Sequence, residues 1–169
     1  GWKYWMAVTP YPHDQNRFEN PSIMVANDSA ITARGVWWVP EGLTNPIAKA
    51  PSKGFNCDPA ILYNSDTDEL WVYYLSVRSD HRASNLTLQK SPDGTHWGGP
   101  QVLKSWSSLV MSPSVTRHGR TWRIWYVMGI KHRHVEVLNS ENGVDWSNPS
   151  NVTFTPSACP WHLTVRYIA

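Results

Sequence analysis

The sequence predicts an all-β protein of the β-propeller kind, built as a single domain from four-stranded antiparallel blades. Three observations carry this. A block of about fifty residues recurs along the chain, close to the length of one blade. Strong hairpin signals fall at the same point of each block. The 169 residues include 11 Trp, 7 Tyr and 13 Pro, a composition suited to short strands, turns and broad aromatic faces.

The clearest block opens with Asp58-Pro59-Ala60-Ile61-Leu62-Tyr63 and a polar turn from Ser65 to Glu69. Leu70-Trp71-Val72-Tyr73-Tyr74 and Asn85-Leu86-Thr87-Leu88-Gln89-Lys90 follow, and Ser91-Pro92-Asp93-Gly94-Thr95-His96-Trp97 closes it. The next block repeats the order with Ser112-Pro113-Ser114-Val115-Thr116, a turn at His118-Gly119, Trp122 to Val127, His134 to Asn139, and Ser140 to Trp146. A degenerate copy opens the chain. In it Tyr4 to Val8 matches the second strand, Pro21 to Ala26 the third, and Trp37 or Trp38 the closing Trp. Residues from Cys159 to Ile168 read as one more first strand. The expected units are therefore approximately 1–50, 51–105 and 106–155, with a first strand over 159–169.

β-Branched and aromatic residues between turn signals support each strand, and Asp93-Gly94 and Asn142-Gly143 are strong short-range hairpin signals. In the shared Ser-x-x-Gly-x-x-Trp pattern the Ser bonds the turn backbone, the Gly supplies a positive φ, and the Trp covers the hairpin against the next sheet. Trp71, Trp97, Trp122 and Trp146 are read in this way as packing residues.

Three strands in the opening unit, four in each of the next two and one at the end make three blades' worth, fewer than the roughly four to eight of a closed ring. Open blade faces and unpaired edges favour association. The expected partners are thus the missing blades of a longer five-bladed protein, or a second copy. In the second case the last strand of one chain pairs with the Tyr4 to Val8 strand of another, giving an assembled six-bladed ring.

Charge narrows the function classes. The formal net charge is +2 and charged residues make up 17%, with no basic stripe for nucleic acid. No apolar run approaches the roughly 18 residues of a membrane helix, so neither nucleic acid nor membrane is an expected partner. Sequence offers no cofactor motif. His132 and His134 alternate along an expected strand, but no third ligand is spaced with them and no metal site is assigned. Cys57 and Cys159 open expected first strands of different blades and read as small buried residues. Glycosylation acceptor patterns occur at Asn27, Asn85 and Asn151, but eleven Asn give about one or two such patterns by chance and they carry little weight. An extracellular location is favoured.

Asp-Pro opening an innermost strand, an aromatic second strand, and Ser-x-Asp-Gly-x-x-Trp closing the blade together resemble the five-bladed propeller glycoside hydrolases of families 43 and 32, the arabinanase, xylosidase and invertase group. The resemblance implies a central pocket lined by innermost strands, and two carboxyl groups from different blades, one acting as base or nucleophile and one as acid. It places Asp58 as the base or nucleophile, while the matching positions of the following blades carry Ser112 and, around Cys159-Pro160-Trp161-His162, no carboxylate. Glu19, in Phe18-Glu19-Asn20-Pro21, is the candidate partner, with Asp14 on the same connection. His162, Trp161, Ser112 and Asp14 are the candidate substrate-binding residues. Each has a plainer reading: Asp58 as a turn cap before Pro59, Glu19 as a solvated loop charge, and His162 as a structural histidine.

Function therefore has an expected form and an alternative. The first is a glycosidase-like propeller acting on or binding carbohydrate at an axial pocket, as a piece of a larger enzyme. The second is a non-catalytic propeller that binds glycans or protein, or a structural or receptor-facing module of a larger assembly such as a virion. Fold does not choose between them.

Overall fold

The computed structural model describes residues 1–27, 36–154 and 159–168. Ten strands form three antiparallel sheets that do not close into a ring, and two short 3-10 turns are the only helical segments among the described residues. β1 (Tyr4–Val8) pairs with β2 (Ser22–Ala26). β3 (Gly54–Asn64), β4 (Glu69–Arg78), β5 (Ser84–Ser91) and β6 (Gln101–Trp106) make one sheet in sequential order. β7 (Val110–His118), β8 (Thr121–Met128), β9 (His134–Ser140) and β10 (Ser150–Val152) make the next. Both four-stranded sheets are up-and-down meanders, as the repeat requires.

The period-2 pattern of the strands decides which face goes where. On β4, Trp71, Tyr73, Leu75 and Val77 point toward the third sheet, where they join Trp122, Ile124, Tyr126 and Leu138 in one buried cluster. Val72 and Tyr74 point the other way, into a cluster with Ile23, Ala48, Trp5 and Trp97. The second sheet is thus covered on both faces. Trp71 stacks on Trp122 with ring centroids 5.2 Å apart, and Tyr73 donates to the carbonyl of Gly143 at 2.9 Å.

The hairpin device is duplicated in detail. Ser91 Oγ accepts from the amide of Gly94 at 2.7 Å, and Ser140 Oγ from that of Gly143 at 2.9 Å. Both glycines have positive φ, +80° and +75°. Their missing side chains leave room for the preceding blade: a Cβ on Gly94 would lie 2.1 Å from the Trp5 ring, and one on Gly143 would lie 2.8 Å from that of Trp71. Trp5 on β1 and Trp71 on β4 therefore hold equivalent places, and the Tyr4 to Val8 segment is the second strand of its unit, as the repeat predicts.

Elsewhere the opening unit departs from the expected three strands. Among the described residues only two form, and the outer edge of β2 is closed piecemeal. Val25 bridges Trp38, Ile47 donates to the carbonyl of Pro21, and the Asn45 carboxamide bonds both the amide and the carbonyl of Ile23, each at 2.9 Å. Residues 28–35 lie outside the description, and with them part of the acceptor pattern that starts at Asn27.

The expected first strand over 159–169 is also not assigned as one. Residues 159–168 carry no ladder, and Val165 is tied instead to the Ser114 side chain on β7, which accepts from its amide at 2.9 Å. Residue 169 is outside the description. Cys57 is buried as expected but Cys159 is exposed, because the segment that carries it is not packed inside a sheet. His132 precedes β9 and does not alternate with His134 along it.

Candidate functional site

β3 and β7 are the first strands of their sheets and lie side by side. Each breaks register once, at the same place. In β3, Cys57 pairs with Leu75 and Ala60 with Tyr73, so Asp58 and Pro59 together face Tyr74. In β7, Met111 pairs with Val127 and Ser114 with Trp125, so Ser112 and Pro113 face Tyr126. These are β-bulges, and the first bulged residue of each has a left-handed backbone: φ is +50° at Asp58 and +51° at Ser112. For a non-glycine residue that conformation costs roughly 1–3 kcal/mol. A Pro inside an inner strand fits only at such a break, since it has no N–H to give to a ladder.

The bulges turn Asp58 and Ser112 into a cavity of about 350 Å³, which Pro59, Ala60, His162, Thr164 and Arg166 also line. Asp58 Oδ2 accepts from the Ser112 amide at 2.8 Å, and Ser112 Oγ shares a hydrogen bond with His162 Nδ1. An unbroken line of contacts therefore runs from Asp58 through Ser112 to His162 across three consecutive inner segments.

Glu19, on the long connection between β1 and β2, lies outside this lining but is tied to β3 close to Asp58. Its carbonyl accepts from the Asn56 amide at 3.0 Å, two residues before Asp58, and Asn20 Oδ1 accepts from Asn56 Nδ2 at 3.0 Å. Burial and then the charge of Asp58 push the Glu19 carboxyl up from 4.5 to about 7. The Cys57 thiol, buried between them, is raised well above its ordinary value by burial, then by Asp58 and Glu19. Charge thus couples all three.

Of the residues singled out in the sequence, Asp58, Ser112 and His162 line one cavity, and Glu19, outside that lining, feels the charge of Asp58. Trp161 is not among the lining residues; it is 53% exposed, with its ring 6.0 Å from that of His162 and the Arg133 guanidinium 3.9 Å above it. Asp14 lies in an exposed 3-10 turn, Pro12–Asp14, outside the cavity lining. Sequence reasoning did not single out Thr164, Arg166 or the amide of Ser112. The repeated Asp/Ser-Pro pair was the available signal for that amide, because it marks two adjacent strands broken alike. Among the described residues no three His, Cys, Asp or Glu side chains gather closely enough to hold a metal ion.

No protein-family model matches the sequence. The curated A type blood N-acetyl-α-D-galactosamine deacetylase of Flavonifractor plautii is 26% identical over an alignment that takes in 99% of this chain. The chain spans only 28% of that relative's length. Among solved structures, an N-acetylgalactosamine deacetylase from F. plautii in complex with blood group B trisaccharide superposes with a TM-score of 0.87 at 22% identity, covering 99% of this chain and 55% of that one. An endo-arabinase from Bacteroides thetaiotaomicron gives 0.60 at 15% identity, over 80% of this chain and 53% of that one. The family 32 β-fructofuranosidase of Bombyx mori gives 0.56 at 18%, over 88% and 34%. The chain thus has the fold of the carbohydrate-acting propellers, a fold it shares with glycoside hydrolases and with a sugar deacetylase.

Proposed function

We propose that the chain carries the axial pocket of a hydrolase acting on carbohydrate, with Glu19 and Asp58 as the reacting carboxyl pair. The observation that supports this is the Glu19 carboxyl, which burial and then the charge of Asp58 push up to about 7. A carboxyl group at about 7 can both take and give a proton under physiological conditions, which general acid–base catalysis requires. Asp58 supplies the negative charge, oriented by the Ser112 amide. Ser112 in turn fixes the His162 imidazole, which faces the same space and is suited to bonding a sugar hydroxyl or carbonyl.

The likeness at 26% to a sugar deacetylase favours one bond over the other. On that reading the substrate is a 2-acetamido sugar, and water adds to its amide carbonyl. Glu19 takes the proton from the water and returns it to the nitrogen as the C–N bond breaks, leaving acetate and the free amine. Trp161, exposed next to His162, offers a face on which the neighbouring sugar stacks. Cleavage of a glycosidic bond by the same pair is the second reading, supported by the likeness to the arabinase and fructofuranosidase folds.

Acetate release from N-acetylgalactosaminides, and chromophore release from aryl furanosides and pyranosides, tell the two readings apart. Glu19→Gln is expected to lower the active one by 10² or more. The pH dependence of kcat/KM should have a limb near 7. Turnover of either kind that survives both Glu19→Gln and Asp58→Asn would refute the pair.

A further inference from the structure

The second and third sheets place equivalent residues in different surroundings, and the difference exposes a second cavity. Tyr74 on β4 and Tyr126 on β8 both face the bulge of their inner strand and point toward the preceding sheet. By register, Tyr74 pairs with Thr87 and Val72 with Gln89, while Tyr126 pairs with Glu136 and Ile124 with Leu138. Between the second and third sheets that place is filled. Tyr126 donates to Glu136 Oε2 at 2.5 Å, His134 Nε2 lies 3.0 Å from Glu136 Oε1, and Trp106 packs edge-on against the Tyr126 ring at 5.1 Å.

Between the opening unit and the second sheet the same place is a cavity of about 570 Å³, running from Asn56 on β3 across Tyr74, Thr87 and Gln89 to Val102 on β6. None of the residues lining the axial pocket lines it. Tyr74, Thr87 and Gln89 are each no more than 3% exposed. The Tyr74 hydroxyl makes no hydrogen bond among the described residues, and neither Thr87 Oγ1 nor Gln89 Oε1 has a partner. The orientation of the Gln89 amide is fixed, since its Nε2 donates to the carbonyls of Ile47 at 3.2 Å and Gly98 at 2.8 Å. A flipped amide would set oxygen against both carbonyls. The bare group is therefore an acceptor, and a buried acceptor left unmade costs about 1–3 kcal/mol.

We propose that this crevice is a second binding site, and that its ligand is one neutral sugar unit. Thr87 and Gln89 are two residues apart on one face of β5, about 7 Å, a span comparable to one sugar ring. Their oxygens accept from ligand hydroxyls, and the Tyr74 hydroxyl gives or accepts a third bond. Trp97, half-buried and in the same lining as Ile47 and Pro100, supplies an apolar face for the C–H side of the ring. Lys49 at the exposed rim is the one charged residue of the lining, so the lining selects for hydroxyls over charge. The site stands apart from the proposed catalysis: Glu19 and Asp58 have no part in it.

Saturation-transfer NMR with galactose, N-acetylgalactosamine and lactose, on the chain carrying both Glu19→Gln and Asp58→Asn, tests the site separately from the axial pocket. Binding is expected to persist there and to fall at least tenfold on Thr87→Val. Because Gln89 also holds two loops, the blocking variant is Val102→Trp, at a 56% exposed rim position where the fold is not at stake. It should abolish the signal with the melting temperature unchanged. The proposal is overturned if Val102→Trp leaves saccharide binding within twofold, or if crystals soaked in these sugars show ordered water alone bridging Tyr74, Thr87 and Gln89.

Discussion

The second and third sheets follow one plan and spend it differently. Each begins with a bulged strand, continues with an aromatic strand, and ends in a Ser-x-x-Gly-x-x-Trp hairpin whose serine and glycine make the same bond. Yet the bulge presents a carboxylate at Asp58 and a hydroxyl at Ser112, and the tyrosine behind it is bare in one sheet and bonded to Glu136 in the other. Backbone positions are common property of the fold. Chemistry lies in which side chain occupies them.

The largest separation between the two sheets should appear at the bulges. On the proposed pair, Asp58→Ala is expected to lower kcat/KM by 10² or more, whereas Ser112→Ala, which removes only the hydroxyl that positions His162, is expected to lose about tenfold. Equal losses would erase the distinction between reacting and positioning groups. Steady-state kinetics on the active substrate class decides it.

Glycines with the same backbone need not tolerate the same change. Gly143→Ala strains a φ of +75° and drives a methyl group into Trp71 and the Tyr73 hydroxyl, both at 2.8 Å, so a loss of about 2–4 kcal/mol is expected. Gly119→Ala at φ +58° meets nothing within 4 Å and should cost only about 1 kcal/mol. Urea denaturation of the two variants measures the contrast.

The paired tyrosines give a finer comparison. Tyr126→Phe strips Glu136 of a buried donor and should destabilise by about 1–3 kcal/mol, while Tyr74→Phe removes a hydroxyl that has no partner among the described residues and should stay within about 0.5 kcal/mol. Glu19 makes a difference of slope, read across pH. Its carboxyl binds a proton more tightly when folded, at about 7, than at its ordinary 4.5. The folded state therefore holds the extra proton across that window, and stability declines as pH rises from 4.5 to about 7. Glu19→Gln should flatten this decline in melting temperatures taken across the window.

Much of this architecture is legible in the sequence because it rests on short-range chemistry. Asp93-Gly94 and Asn142-Gly143 mark turns that only their own neighbours need to satisfy, and alternation on β4 and β8 assigns faces without reference to anything distant. The candidate site was legible as far as residue type and repeat position carry: Asp58, Ser112 and His162 do share a cavity. Hidden from the sequence were effects that depend on the far end of a long connection. The raised Glu19 carboxyl comes from burial and then from the charge of Asp58, thirty-nine positions away in the numbering. Trp38 and Asn45 in place of a full fourth strand likewise have no local signature.

That substitution at the edge of β2 has a kinetic side. A fourth strand is released only by breaking a ladder, but the Asn45 carboxamide imitates a single peptide unit and lets go with one side-chain rotation. It works as a latch. When the latch opens, the Ile23 amide and carbonyl face solvent while β1, β2 and the cluster around Val72 stay in place. The Ile23 amide should then exchange with solvent at the frequency of loop opening, orders of magnitude faster than amides at the centre of β4. For that interval the edge of β2 is open at Ile23 alone, between the bonds that still hold Pro21 and Val25.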